Sequence, residues 1–201
     1  MGAFHDKPAF HLMRRKPPRA ISARGDLRGQ IGQISADLRD NLFGRSVWMS
    51  LESATRTFLA AGEAVLRTRR EDPIFDFSGP AVQFSKAVEV ELNALIFDAT
   101  SAQLSSGKDD ERYVSIESRR IDLGDASQHE TLGAMKRLLT NARVTGHLTR
   151  EYGSNVGYLT EPNKLQLRLG QIQTYRNRAA HKDPVTVEEA LKVRASVRME
   201  P

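Results

Sequence analysis

The chain has no cysteine. That excludes disulfides, thiolate metal ligands and cysteine nucleophiles together, and it fits a reducing compartment such as the cytoplasm. No apolar run approaches the roughly 20 residues a membrane span needs, and the N-terminal segment has no continuous apolar stretch of the kind a signal peptide carries. With 39% hydrophobic residues and a mean hydropathy of −0.47, a soluble protein without membrane contact is expected. Aromatics are scarce, at 6% with a single Trp. Trp48 lies in an apolar periodic stripe, which reads as core rather than as a base-stacking platform. Gly107-Lys108 lacks both a glycine five residues earlier and a following Ser or Thr, so the phosphate-binding loop pattern fails. His147 and Glu151 are four residues apart, as two ligands on one helical face would be, but no third ligand is placed nearby. No metal site and no cofactor are expected. No internal repeat is visible.

What the chain does have is positive charge, +5 over 201 residues, with a pI near 9.7. That favours polyanionic partners without specifying one. The length suits one domain with appendages. Residues 1–26 place Pro8, Pro17 and Pro18 among Arg14, Arg15, Lys16, Arg19 and Arg24, a pattern that argues against a packed helix. They read as a basic, flexible arm, either a solvated tail or an electrostatic hold on RNA phosphates through Arg14, Arg15, Lys16 and Arg19. The domain proper is residues 27–201. Leu27, Ile31, Ile34, Leu38 and Leu42 recur at helical spacing and predict an amphipathic helix docked on it.

The periodicity predicts a long helix from about Arg45 to Arg70, ended by Glu71-Asp-Pro73. Its buried stripe is Trp48, Leu51, Phe58, Leu59, Val65 and Leu66, with Glu63 on another face. A second helix is predicted from Pro80, with Ser78 as its N-cap, to about Asp98. Val88, Leu92, Leu95 and Ile96 form its apolar face, and Lys86, Glu89 and Asn93 a polar row. Lys86 and Glu89 are either helpers of a nearby site or a surface ion pair. Residues 99–130 read as a polar insertion in which Tyr113–Ile116 and Arg120–Leu123 alternate as a small β-hairpin. A short helix follows over Leu132–Leu139. Gly153–Gly157 reads as a connection and Glu161-Pro-Asn163 as the cap of a further helix. Thr186, Glu188 and Glu189 cap a closing helix whose apolar residues read as Val185, Val187, Ala190, Leu191, Val193 and Val197.

Chemistry is concentrated in Gln173-Thr-Tyr-Arg-Asn-Arg-Ala-Ala-His181-Lys-Asp-Pro184. Leu165, Leu169, Ile172 and Tyr175 mark one helical face before it, and Pro184 ends the run. At about 100° per residue, Asn177 and Arg178 share a face with His181, whereas Arg176 lies about 140° away. Histidine takes and gives a proton near neutral pH, and arginine grips phosphate oxygens with a planar fork. A base, an acid and a cation are sufficient for RNA cleavage by its own 2′-hydroxyl. A solvated basic helix end with an accidental Arg-x4-His spacing is the competing reading.

The segment Arg176-Asn177-Arg178-Ala179-Ala180-His181 resembles the active motif of the HEPN superfamily. Phe75-Asp-Phe-Ser-Gly-Pro80-Ala-Val-Gln-Phe-Ser-Lys86-Ala-Val-Glu89-Val-Glu91-Leu-Asn93 is similar to the opening of the core helix in a bacterial branch of these domains. Thr131-Leu-Gly-Ala-Met-Lys-Arg-Leu-Leu139 is similar to the short helix after it. The three segments occur in the family's order, and the resemblance covers roughly residues 44–198. It implies an all-α bundle of four to five helices, here with a basic N-terminal arm and a small β-hairpin insertion. It further implies a metal-independent endoribonuclease working as a homodimer, with two motifs facing each other. Arg176 would then hold the scissile phosphate, Asn177 orient it and His181 move protons, assisted by Lys86, Glu89, Arg178 and Lys182. A dimer would also bring Arg176 of one subunit to His181 of the other. By the same association the protein would serve in toxin–antitoxin or phage defence, held in check by a nucleotidyltransferase-type antitoxin or another defence partner. The family also contains RNA-binding and protein-binding modules that do not cleave.

Overall fold

The computed structural model describes residues 23–104, 109–153, 157–160, 165–181 and 183–197. It is mostly helical with one small sheet. The described elements are α1 (Ala23–Asp37), a π-helical segment (Leu38–Phe43), α2 (Arg45–Ser50), α3 (Ser53–Arg69), α4 (Ser78–Leu104), α5 (Asp109–Arg112), β1 (Tyr113–Ile116), β2 (Arg119–Asp122), α6 (Leu132–Leu138), α7 (Ala142–Tyr152), α8 (Gly157–Thr160), α9 (Leu165–Ala180) and α10 (Val187–Val197). Residues 1–22, with Arg14, Arg15, Lys16 and Arg19 of the basic arm, lie outside the described residues, as do the connection at 154–156 and the cap region at 161–163. Helix α1 begins at Ala23, within the stretch read from sequence as the arm. No helix among the described residues is long and apolar enough to cross a membrane.

Helix α4 is the axis of the structure, and α3, α6, α7, α9 and α10 all pack on it. Its buried residues run around much of the cylinder, from Ala81 and Phe84 through Ala87, Val88 and Leu92 to Ile96, Phe97 and Leu104. A helix apolar on several faces must be enclosed by neighbours. It continues to Leu104, six residues past the end predicted from the sequence. Its start is fastened by Asp76 rather than Ser78. Asp76 Oδ1 accepts from Ser78 N at 3.0 Å and Ser78 Oγ at 2.6 Å, and from Val185 N at 3.0 Å. The Ser78 hydroxyl first, then the two backbone donors, hold this carboxyl below its ordinary range. Phe77 N donates in turn to Val185 O at 2.9 Å. The segment following α9 is thereby tied to the beginning of α4.

The single helix predicted from Arg45 to Arg70 is two. Leu51 and Glu52 are extended, with ψ of 147° and 145°. The break is held by contacts distant in sequence. Glu52 N donates to Glu91 Oε1 at 2.7 Å, and Arg56 Nη1 donates to the carbonyls of Leu51, Trp48 and Met49 at 2.7, 3.2 and 3.3 Å. These bonds satisfy carbonyls freed at the end of α2. Trp48, Leu59 and Leu66 are buried as expected, but Val65 is exposed. Glu63, expected on an outer face, is 3% exposed. It receives Arg67 Nε at 2.6 Å and Arg194 at 2.6 and 2.9 Å. Charge-assisted bonds from two guanidinium groups offset the desolvation of its carboxylate.

The predicted hairpin forms, with Tyr113 opposite Asp122 and Val114 opposite Ile121. Glu117 and Ser118 take φ of 50° and 66°, the positive values that a two-residue turn matching the strand twist demands. Val114, Ile116, Ile121 and Leu123 face the core. At the other end of the chain, Thr186 and Glu189 form a reciprocal capping box on α10. Glu189 N donates to Thr186 Oγ1 at 3.3 Å, and Thr186 N to Glu189 Oε2 at 3.0 Å.

Candidate functional site

Leu165, Leu169 and Ile172 press one face of α9 into the core. Arg176, one turn beyond Ile172, continues that face, so its side chain points toward α4 rather than into solvent. It is 33% exposed, and its Nη2 lies 3.6 Å from Glu89 Oε2. That separation makes an ion pair but exceeds a good hydrogen bond. Glu89 Oε2 also accepts from Leu132 N at 3.0 Å, in the first turn of α6. One carboxylate thus steadies both the arginine and the helix beside it.

Glu89 and Asn93 of the polar row on α4 form an internal clamp rather than a solvated surface. Asn93 is buried, and its Nδ2 donates to Glu89 O at 2.7 Å and Glu130 O at 2.9 Å, while its Oδ1 accepts from Glu130 N at 2.6 Å. Glu130, 3% exposed, accepts from Arg119 Nη2 and Gln128 Nε2 at 2.8 Å each through Oε1. The surface pair of Lys86 with Glu89 does not form. Lys86 Nζ instead sits 5.6 Å from the centre of the Phe58 ring, a cation–π contact on α3. Of the two auxiliary residues on α4, Glu89 reaches the motif and Lys86 is drawn away from it.

At the end of α9, His181 N donates to Arg178 O at 3.0 Å. This i to i−3 bond tightens the last turn, and His181 lies in the turn after the helix. The angles expected from an uninterrupted helix therefore stop applying at Ala180. His181 and Asn177 are exposed. Arg178 pairs with Glu189 through Nη1 and Oε1, binding the motif helix to the capping box of α10. Lys182 lies outside the described residues. The C-terminal end of α9 therefore carries Arg176, paired with Glu89, and Arg178, paired with Glu189, while Asn177 and His181 are open to solvent and no contact among the described residues joins the His181 side chain to Arg176.

Sequence reading missed Asn93, Glu130 and Arg119 as a connected network, and Lys136, which lies along α9 beside Gly170. An added Cβ at Gly170 would come 3.5 Å from Lys136 Nζ. The signal for the network was present in the spacing of Glu89 and Asn93, but the same spacing describes a solvated helix face. The chain matches no protein family, no curated protein and no solved structure.

Proposed function

We propose that this chain is a HEPN-type helical bundle that cleaves RNA without a metal ion and works as a homodimer. The observation that supports this reading best is the division of labour at the end of α9. Arg176 is half-buried and oriented by Glu89, while His181 stands exposed just beyond the helix. An oriented guanidinium suits a fixed phosphate, and an exposed imidazole suits proton transfer. In this reading the 2′-hydroxyl of the RNA attacks the adjacent phosphorus, and its proton passes to a base. The bond to the 5′-oxygen breaks, and that oxygen takes a proton. His181 serves as acid or base, Arg176 neutralises the phosphorane and Asn177 orients it. Glu89 is a positioning residue, acting through Arg176.

A second reading, an RNA-binding or protein-binding module without cleavage, draws on a specific observation. Both arginines of the motif are engaged within the chain, Arg176 by Glu89 and Arg178 by Glu189. One experiment separates the two. Wild type and His181→Ala are incubated with total RNA and tRNA in EDTA, and products are resolved on a gel. Cleavage by wild type, reduced about 10²-fold or more in His181→Ala, is the expected result. Equal cleavage by both proteins would sink the assignment of His181, and RNA retention without products would favour the binding module.

A further inference from the structure

On α9, Gln166, Gly170, Gln173 and Asn177 follow at intervals of four, three and four, so they form one stripe along the helix. The stripe lies well away from the buried face of Leu165, Leu169 and Ile172 and ends inside the candidate motif. It borders an open groove of about 640 Å³ that Lys136 of α6 and the Arg178–Glu189 pair also line.

Two glycines leave room for it. A Cβ at Gly133 would meet Gln173 Nε2 at 3.0 Å, and one at Gly170 would lie 3.5 Å from Lys136 Nζ. The missing side chains let the carboxamide lie against α6 and the ammonium lie along α9. Two other polar groups of the groove are bonded within the protein. Thr174 Oγ1 donates to Gly170 O at 2.9 Å, and Gln171 Oε1 accepts from Ser196 Oγ at 3.4 Å. Among the described residues, no hydrogen-bond partner takes the carboxamides of Gln166, Gln173 and Asn177, and no carboxylate pairs with Lys136. Leu167, 66% exposed, adds an apolar surface to the same groove.

We propose that this groove is a track for single-stranded RNA, in which Gln166 and Gln173 bond to base edges, Lys136 holds a phosphate and the stripe leads the strand to Asn177 at the motif. The proposal rests on the RNA reading of the site and names the form of substrate that would reach it. A carboxamide offers both donors and an acceptor, which is what an unpaired base edge requires. A half-buried ammonium without a carboxylate supplies the backbone contact, and Leu167 suits the flat face of a base. From Gln166 to Asn177 the stripe is about 16 Å long, enough for a few nucleotides. Single strands are favoured because the bases of an A-form duplex are turned inward, beyond the reach of short amides on a helix face.

The test uses the full chain carrying His181→Ala, so that binding is measured without cleavage. Fluorescence anisotropy is recorded with a labelled single-stranded 12-nucleotide RNA of mixed sequence, the same RNA as a duplex, and a 12-residue polyglutamate peptide as competitor. Adding Lys136→Ala should weaken single-strand binding about tenfold at low salt and reduce the slope of log affinity against log salt by about 0.7. Lys136→Arg should retain both, which separates charge from folding. Gly170→Leu, which fills the groove and displaces the Lys136 ammonium without removing a charge from the chain, should weaken binding as well. Gln173→Ala should alter the ranking of homopolymers without changing the salt slope. Unchanged affinity in both Lys136→Ala and Gly170→Leu would overturn the proposal. So would equal binding of the duplex, or displacement by polyglutamate at matched charge, which would indicate an acidic protein partner. The cleavage assay in EDTA is read separately. Cleavage dependent on His181 with no effect of the groove variants on binding leaves the ribonuclease reading standing and this one fallen. The reverse result leaves an RNA-binding groove on a protein that does not cut.

Discussion

At the scale of single residues, His147 should make stability depend on pH. His147 is buried on α7, and its Nδ1 lies 2.7 Å from Gln103 Oε1. Burial first, then the positive charge of Arg150, lowers its pKa below the ordinary 6.5, against an opposing pull from Glu111. Since the folded value is the lower one, the unfolded chain binds the extra proton more readily as pH falls below about 6.5. Stability should therefore be complete near pH 7.5 and decline toward pH 5.5. Urea midpoints measured at those two values should differ more in wild type than in His147→Asn, whose amide can replace the Nδ1 contact but cannot take up the proton. An equal difference in both proteins would show that another group sets the dependence. The same residue illustrates why spacing alone is an uncertain guide to chemistry. His147 and Glu151 both turn to Gln103, with Gln103 Nε2 donating to Glu151 Oε2 at 3.3 Å.

At the scale of elements, the packing of α3 against the Phe84 ring of α4 depends on Gly62. An added Cβ would meet the Phe84 ring at 2.9 Å, and that ring is itself fully buried. Overpacking of a core contact costs about 1–3 kcal/mol, against a gain of up to about 1 kcal/mol in helix propensity on replacing glycine by alanine. The cost should prevail, so Gly62→Ala is expected to lose about 1 kcal/mol in chemical denaturation. Gly146, exposed on α7 with nothing near its missing Cβ, provides the opposite case. Gly146→Ala should gain about 0.5–1 kcal/mol, and a gain in both variants would mean that α4 shifts away from α3 without penalty. Elements of this kind were legible where apolar periodicity and local caps decide them, as in α6, α9 and the Thr186–Glu189 box of α10. They were illegible where remote partners decide. The break at Leu51 and Glu52 depends on Glu91 from another helix, and burial of Glu63 depends on Arg194, which comes from the last described helix. The candidate site divides in the same way. Arg176 and His181 stood out by residue type and spacing, whereas the diversion of Lys86 to Phe58 and the groove between Gly133 and Gly170 required packing to become visible.

At the scale of the whole molecule, the proposed ribonuclease must account for an arginine and a histidine that leave α9 in different directions. Arg176 follows the buried stripe toward Glu89 on α4, whereas His181 lies in the exposed turn after the helix. If a homodimer places Arg176 of one subunit against His181 of the other, the two residues act in trans, and a mixture of inactive variants can regain activity. Arg176→Ala supplies intact histidines and His181→Ala intact arginines. After subunit exchange at equal concentrations, half of the dimers are mixed, and in a two-fold dimer each of these has one complete site and one empty site. The mixture should recover about a quarter of wild-type cleavage while each variant alone remains inactive. Sites built within one chain would give no recovery at any ratio, since no combination of these two variants restores both residues to a single subunit. The readout depends on cleavage products rather than on stability, so loss of the Arg176–Glu89 pair in one variant cannot imitate the result. A quarter of the activity would locate the reacting centre between subunits, and none, with exchange verified by differently tagged chains, would return it to a single α9.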